Sequence, residues 1–418
     1  MIIHRLDGCA PTPLASYLKA VGILRLVAEQ ADPRARAWWK GECCFFCTEL
    51  SANELVQFFL EAYRPTPLVS PWNKGSGFYY QNDPGLTPID ESSSPRFQSL
   101  REGVKASRLL LRDIAGADQA VRDIKQETKS KGLTKAAKEA LKNSPQYKQR
   151  LAEAERRFKA LKVGLVPELR LSWRGPHREW MDAALVVADD GTPTFPALLG
   201  TGGNDGRLDF TNNYFQRLNE VFDLRDSDGT ARQSAKGWFE HALFNNPSLV
   251  LTSGVAVGQF SPGAAGGANL TSGPEGNSQL NPVDFILALE GAVLFSSSAN
   301  RRLDTRQPSR AAAPFAINAS GSGYASASDA DETARGEQWM PLWSQPLNLA
   351  ELKRFLGEGR AQLGARSIRE PLDLARAVAR LGTCRGIVSF QRYGYIERNG
   401  QSNLAVPLAG CGKTSVWD

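Results

Sequence analysis

The chain's positive charge is confined to one stretch. Residues 96–170 hold 19 lysines and arginines against 9 acidic residues, a net of +10. All other residues hold 31 against 35, a net of −4, so the overall excess of +6 comes from this segment alone. The segment reads as mostly helical. Leu109, Leu110, Ile114, Val121 and Ile124 predict the apolar stripe of a first helix, and Leu151, Ala154, Phe158 and Leu161 that of a later one. Between them, residues 125–142 are basic and nearly lack large apolar side chains. Such a stretch has little to bury, so the pattern predicts a helical hairpin projecting from the body with a mobile tip. A charge run is ordinarily a solvated face, but a purely solvating surface mixes its signs. A basic projection on a near-neutral body points to a polyanion partner, of which nucleic acid is the common case. Lys129, Lys131, Lys135 and Lys138 are its candidates for sequence-independent contacts.

A second constraint lies at Leu198–Leu218. A short apolar run feeds a turn with Gly200, Gly202, Gly203 and Gly206. Leu208, Tyr214, Phe215, Leu218, Val221 and Phe222 follow at helical spacing. A glycine-rich turn opening a helix presents N–H groups to an anion, or is a tight structural turn capped by its own Asp209 or Thr211. Both readings stand. In the first, Gly202, Gly203, Asn204, Asn212 and Asn213 lie near a nucleic acid. A comparable loop precedes it: prolines 65, 67 and 71 hold the chain extended, and Trp72, Phe78, Tyr79 and Tyr80 flank Asn73, Lys74 and Gly75. Aromatics beside a lysine stack bases and touch phosphate, or pin a loop to the core.

Elsewhere the pattern is structural. Thr12-Pro13 reads as an N-cap with proline at the first helical position, followed by a face of Leu14, Leu18, Val21, Leu24 and Val27. The 38–50 region predicts a strand, and Ser51 with Glu54 a capping box opening a helix that turns Leu55, Phe58, Phe59 and Ala62 inward. Residues 177–187 predict a helix before the Asp189-Asp190-Gly191 turn. Asn281-Pro282 predicts the start of another, with Phe285, Ile286, Leu289 and Val293 apolar. Residues 253–281 form a long loop rich in glycine, serine and asparagine, and 320–337 are small and polar. Residues 339–343 re-enter the core, 349–360 and 371–381 read as helices, and 385–395 as a strand or turn with two exposed arginines. The expected fold is α+β: irregular and multi-part, with short sheets, many helices, a basic helical hairpin insertion and long glycine-rich loops. Its expected parts are an N-terminal α/β part (1–95), the hairpin (96–170), a central glycine-rich-loop part (171–300) and a C-terminal α/β part (301–418).

Several chemistries find no support in the pattern. The six cysteines are too sparse for a disulfide scaffold, and Cys44-Phe45-Phe46-Cys47 has no second pair for zinc, so these read as buried thiols on a strand. The three histidines, His4, His177 and His241, carry no catalytic spacing. Gly412-Lys413-Thr414 copies the end of a phosphate-binding loop, but Pro407 stands where its first glycine belongs. No secretion signal or membrane-length apolar run is visible, so the expectation is a soluble, cytoplasmic protein with no catalytic residue, metal or cofactor and no membrane partner.

Taken together and in order, several pieces resemble a known family. They are residues 4–9 with Thr12-Pro13-Leu14, residues 71–78, 199–210, 341–343 and 358–360, and Arg385-Gly386-Ile387 leading to Arg392-Tyr393-Gly394. The combination resembles the large subunit of the subtype I-G (formerly I-U) CRISPR interference complex, a Cascade-type assembly. Members of that family continue into a further helical part, so this chain, stopping at Asp418, reads as a shortened version. The resemblance implies a non-catalytic subunit near the 5′ end of the guide RNA. It would inspect double-stranded target DNA for the short PAM, start strand separation and lead to recruitment of a helicase-nuclease. Its implied partners are guide RNA, target DNA, the backbone and foot subunits, and that helicase-nuclease. On this reading Asn73 and Lys74 or the 202–205 turn reach the PAM duplex, and Arg301, Arg302, Arg392 and Arg398 meet guide RNA or a partner subunit. Two other classes stay open: a magnesium-dependent nuclease using Asp205 and Asp209, and a scaffold whose loops touch only protein.

Overall fold

The computed structural model describes residues 1–80, 82–129, 132, 134–188, 191–205, 208–247, 259–265, 281–300, 310–317, 336–357, 362–363, 366–367, 386–397 and 403–412. Strand β1 (Ile2–Leu6) leads into helix α1 (Leu14–Gln30). The expected face of α1 is buried, and so are Tyr17, Ile23 and Leu26 on its other sides. A helix apolar nearly all round belongs inside a core. Its start differs from the expectation: Pro13 is the extended N-cap itself, and no side chain caps the helix.

Strands β2 (Arg36–Lys40) and β3 (Cys43–Thr48) form a hairpin, and β1 pairs antiparallel with β3. Cys44, Phe46 and Thr48 face inward, while Cys43 and Cys47 are half-buried on the other face. Side chains alternate along a strand, so Cys44 and Cys47 diverge and cannot chelate one ion. The capping box forms as expected, with Ser51 accepting from the Glu54 N–H and Glu54 from the Ser51 N–H, at the start of α2 (Ala52–Gln57). The helix then widens into a π-turn over Phe58–Ala62. That extra residue shifts the inward stripe: Phe58 and Phe59 are buried, Tyr63 takes the next inward place, and Ala62 is exposed.

After a short helix, α3 (Leu86–Glu91), come α4 (Gln98–Glu127), α5 (Lys135–Asn143) and α6 (Pro145–Ser172). Helices α4 and α6 pack along each other as the expected hairpin, with α5 at its end. The buried seam of α4 is Leu100, Val104, Ser107, Leu111, Ile114, Asp118 and Val121, alternating steps of four and three. This is the heptad spacing of two helices in a coiled-coil-like pair. Leu109, expected in the stripe, lies off the seam and is 76% exposed. Leu151, Ala154, Phe158 and Leu161 are half-buried on the facing side of α6.

Helix α7 (Gly175–Ala184) ends before the predicted limit; β4 (Val186–Val187) leaves it to pair with β5 (Pro193–Thr194). Strands β6 (Asn204–Asp205) and β7 (Leu208–Asp209) then lead into α8 (Phe210–Val221), followed by α9 (Ala235–Phe244) and α10 (Pro282–Ala292). Asn281 caps α10 by accepting from the Val283 N–H. Helices α1 and α10 touch at glycines: a Cβ on Gly22 would lie 2.1 Å from the Leu287 carbonyl oxygen, and one on Gly291 1.9 Å from that of Leu18. At the same contact Glu290 is fully buried, accepting from Arg25 (2.8 Å), Tyr63 (2.6 Å), Tyr214 (2.7 Å) and both the N–H and hydroxyl of Thr66. A buried carboxyl group is costly unless its oxygens are hydrogen-bonded, and here both are.

The C-terminal strands are β8 (Ser298–Asn300), β9 (Arg310–Ala312), β10 (Ala316–Ile317), β11 (Glu337–Trp343) and β12 (Leu347–Asn348). Helix α11 (Leu349–Gly357) follows, then β13 (Gln362–Leu363), β14 (Arg366–Ser367), β15 (Ile387–Glu397), β16 (Asn403–Pro407) and β17 (Cys411–Gly412). One antiparallel sheet runs β10-β11-β15-β16, with β17 also on β15. Strand β12 instead pairs with β2, completing the order β1-β3-β2-β12. Trp343 packs edge-on against Tyr17 and Trp39 and donates to the Ala37 carbonyl at 2.7 Å. The two ends of the chain therefore share one core, and the fold is α+β with short sheets. Most of the 253–281 loop, most of 320–337, the 371–381 helix and the Gly412-Lys413-Thr414 tail beyond Gly412 lie outside the described residues. Among those described, no helix is long and apolar enough to cross a membrane.

Candidate nucleic-acid interface

The hairpin sorts its charges by position. Lys125 pairs with Glu155 at 2.7 Å, and Arg150 with Glu127 at 2.6 Å, fastening the outer ends of α4 and α6. Arg108 pairs with Asp90, and Arg112 lies 3.5 Å from Asp113. Lys129, Lys135, Lys142, Lys148, Arg156, Arg157 and Lys159 are exposed and form no ion pair among the described residues, and Lys138 is half-buried without one. Helix α5 buries none of its residues. These cations stand outside ion-pair distance of a carboxylate among the described residues, along the end of the hairpin and α6, with Lys159 still feeling the charge of Glu155.

At the root of the hairpin the charges are denser. Asp118 is 2% exposed and accepts from Lys74 Nζ at 2.6 Å and from Arg122 Nε at 2.7 Å. Two ammonium groups lie near the Phe158 ring, with Lys74 Nζ 5.8 Å and Lys162 Nζ 6.0 Å from its centroid. Lys162 is held below the usual lysine range, first by burial and then by the charge on Lys74; Asp118 opposes the shift. The Arg122 guanidinium lies 4.3 Å over the ring of Tyr80, which is 47% exposed. Two cations therefore bond one carboxylate, with a third nearby, beside an exposed aromatic ring.

The Pro71–Phe78 loop and the 200–209 turn, read separately as candidates, are packed against each other. Asn73 is buried, and its Nδ2 donates to the Gly202 carbonyl at 2.7 Å, as does Trp72 Nε1. Gly202 (φ +77°) and Gly203 (φ +90°) adopt conformations favouring glycine, and a Cβ on Gly203 would crowd Ser70 and Trp180. Gly75 abuts Asp209 and Asn204. Asn212 donates to Asp83 at 2.7 Å, and Asn213 to the Asp209 carbonyl at 2.8 Å. Of these candidates Lys74 is the side chain that reaches the basic surface; Asn73, Asn212 and Asn213 point their amides at protein acceptors, and Asn204 is half-buried.

Arg392, expected to be exposed, is 27% exposed and forms a two-pronged pair with Glu337 at 2.9 Å across β11 and β15, with its guanidinium over Trp339. Cross-strand neighbours of this kind are invisible without the pairing register. Lys131, Arg301, Arg302 and Arg398 lie outside the described residues.

Asp205 and Asp209 lie on different elements, so their i, i+4 spacing does not set them on one helix face. Asp205 lies in β6 and accepts from the Asn403 N–H at 3.2 Å; Asp209 is the N-cap of α8, accepting from the Asn212 N–H and the Thr211 hydroxyl. Both are buried, at 1% and 4% exposure. Burial lifts Asp209 to about 6 against the pull of its cap donors. Among the described residues no group of three or more His, Cys, Asp or Glu is arranged to hold a metal ion.

Sequence reasoning missed Asp118, Arg122 and Lys162. The i, i+4 spacing of Asp118 and Arg122 was a usable signal; their meeting with Lys74 was not, since it joins a loop to the hairpin. A cleft of about 460 Å³ elsewhere is lined by Arg96, Arg232, Lys236, Glu61 and Asp228. Arg96 donates there to the Gly229 and Leu60 carbonyls, so its charge is held without a carboxylate bond. No protein-family model matches this chain, and no curated protein is significantly similar to it.

Proposed function

We propose that the chain is a non-catalytic, nucleic-acid-binding subunit, and that its place is as the large subunit of a subtype I-G CRISPR interference complex. In that role it binds the guide RNA–protein assembly and PAM-containing duplex DNA, helps strand separation begin and leads to recruitment of a helicase-nuclease. The observation that carries the nucleic-acid reading is the set of exposed hairpin cations that form no ion pair among the described residues: Lys129, Lys135, Lys142, Lys148, Arg156, Arg157 and Lys159. The assignment to that complex rests on the ordered motifs quoted above. The glycine turn and the Pro71–Phe78 loop then act as one rigid block that aims Lys74 outward, rather than as two base-reading loops.

The test is the salt dependence of binding. Each phosphate neutralised contributes roughly 0.9 to the slope of log K against log salt on duplex DNA. Replacing Lys129, Lys131, Lys135 and Lys138 with Glu is expected to weaken duplex binding regardless of sequence and to flatten that slope. An unchanged slope assigns the hairpin to solvent or to a protein partner and removes this support.

A further inference from the structure

We propose that the hairpin root is a single-nucleotide clamp for single-stranded nucleic acid, gripping a phosphate between Lys74 and Lys162 while the base stacks on Tyr80. This rests on the nucleic-acid reading above and specifies which form is held there. Three links tie the parts into one small surface: Lys74 Nζ to Asp118 at 2.6 Å, Asp118 to Arg122 Nη2 at 2.6 Å, and Arg122 to the Tyr80 ring at 4.3 Å. The single Asp118 carboxylate is bonded by Lys74 and Arg122, which leaves Lys162 without a bonded carboxylate, near the charge on Lys74 and beside the same Phe158 ring. An anion bound by both ammonium groups relieves that repulsion, and a phosphodiester is such an anion. Lys74 remains 47% exposed despite its ion pair, so its other donors are open.

Tyr80 decides the form of the partner. Its neighbours Trp72, Phe78 and Tyr79 are buried, and Tyr79 donates to the Pro71 carbonyl at 3.0 Å. Tyr80 alone of this group turns out to solvent, with a guanidinium held over its ring. A base inside a duplex is already stacked on its neighbours and cannot lie on a protein ring; an unpaired base can, and any base has a face to offer.

The experiment measures binding of a short single-stranded oligonucleotide, and of the same strand made abasic, to the full chain by fluorescence anisotropy. Wild type is expected to favour the intact strand by roughly 5- to 150-fold, the range for one aromatic stack. Tyr80→Leu, an exposed change, should erase that preference, and Tyr80→Phe should keep it. Lys162→Gln should weaken both strands alike and lower the salt slope by about 0.7. If Tyr80→Leu leaves the intact-to-abasic ratio unchanged while duplex and single strand still bind, the clamp is overturned and the broader reading survives. If wild type binds no nucleic acid at all, both fall together.

Discussion

Asp209 holds two roles that pull its proton affinity in opposite directions. As N-cap of α8 it accepts from the Asn212 N–H at 2.9 Å and the Thr211 hydroxyl at 2.7 Å, and both bonds favour the carboxylate. Yet the group is buried, and its Oδ2 makes no hydrogen bond among the described residues. Burial wins, lifting it from 3.8 to about 6. A carboxyl whose folded value exceeds its unfolded one binds a proton on folding. Its contribution is therefore full below about pH 4 and is lost as pH rises to about 6, a change of about 3 kcal/mol for two units. Asp209→Asn keeps an oxygen for the cap and removes the titration. Relative to wild type, the variant should be about 2 kcal/mol better off at pH 7 than at pH 4.5, read from urea unfolding. A difference that does not vary with pH refutes the assignment.

At the scale of elements, the α1–α10 contact shows close approach outweighing helix propensity. Alanine in a helix interior is favoured over glycine by roughly 0.5–1 kcal/mol. At Gly291 the added methyl meets the Leu18 backbone at 1.9 Å, which a flexible side chain cannot relieve, and overpacking of this kind costs about 1–3 kcal/mol. Gly116 on α4 has nothing within 4 Å of an added Cβ. Thermal unfolding should therefore give opposite signs for one substitution: Gly291→Ala lowers the midpoint and Gly116→Ala raises it. Two shifts of the same sign would mean the helices are not in backbone contact. Elements were legible in the sequence where local rules govern them. The Ser51 capping box, the Asn281 cap and the buried stripe of α8 follow from spacings of a few residues. The π-turn after Gln57, the exit of Val186 from a helix into a strand and the Arg392–Glu337 pair depend on partners far along the chain, which periodicity does not encode. The hairpin lay between these cases: its helices and basic sign were readable, its heptad seam less so, because Ser107 and Asp118 occupy seam positions that an apolar stripe would not nominate.

Across the whole molecule, the charged surface and the asparagine candidates for base reading are separated. The hairpin segment carries +10 and everything else −4, so attraction to a polyanion is focused on one projection. Phosphate contact of this kind positions a duplex without reading it. The amides that would read base edges are turned inward: Asn73 holds Gly202, Asn212 holds Asp83 and Asn213 holds its own helix start. Asn73 and Asn212 are buried as well as turned onto protein acceptors, so neither amide is presented to the base edges of a major groove. The isolated chain is therefore expected to bind PAM-containing and PAM-less duplexes with the same affinity, within about twofold, and with a steep salt dependence. On the proposed function, discrimination should appear when the chain is assembled with guide RNA and the other subunits of such a complex, where other groups complete the reading surface or the loop block shifts. Competition binding with the two duplexes, on the chain alone and then on the assembly, checks this. A PAM preference already present in the isolated chain would place base-reading residues outside the Asn73–Asn213 block. An assembly that binds both duplexes equally would remove the recognition role altogether and leave the hairpin as a sequence-blind grip on nucleic acid.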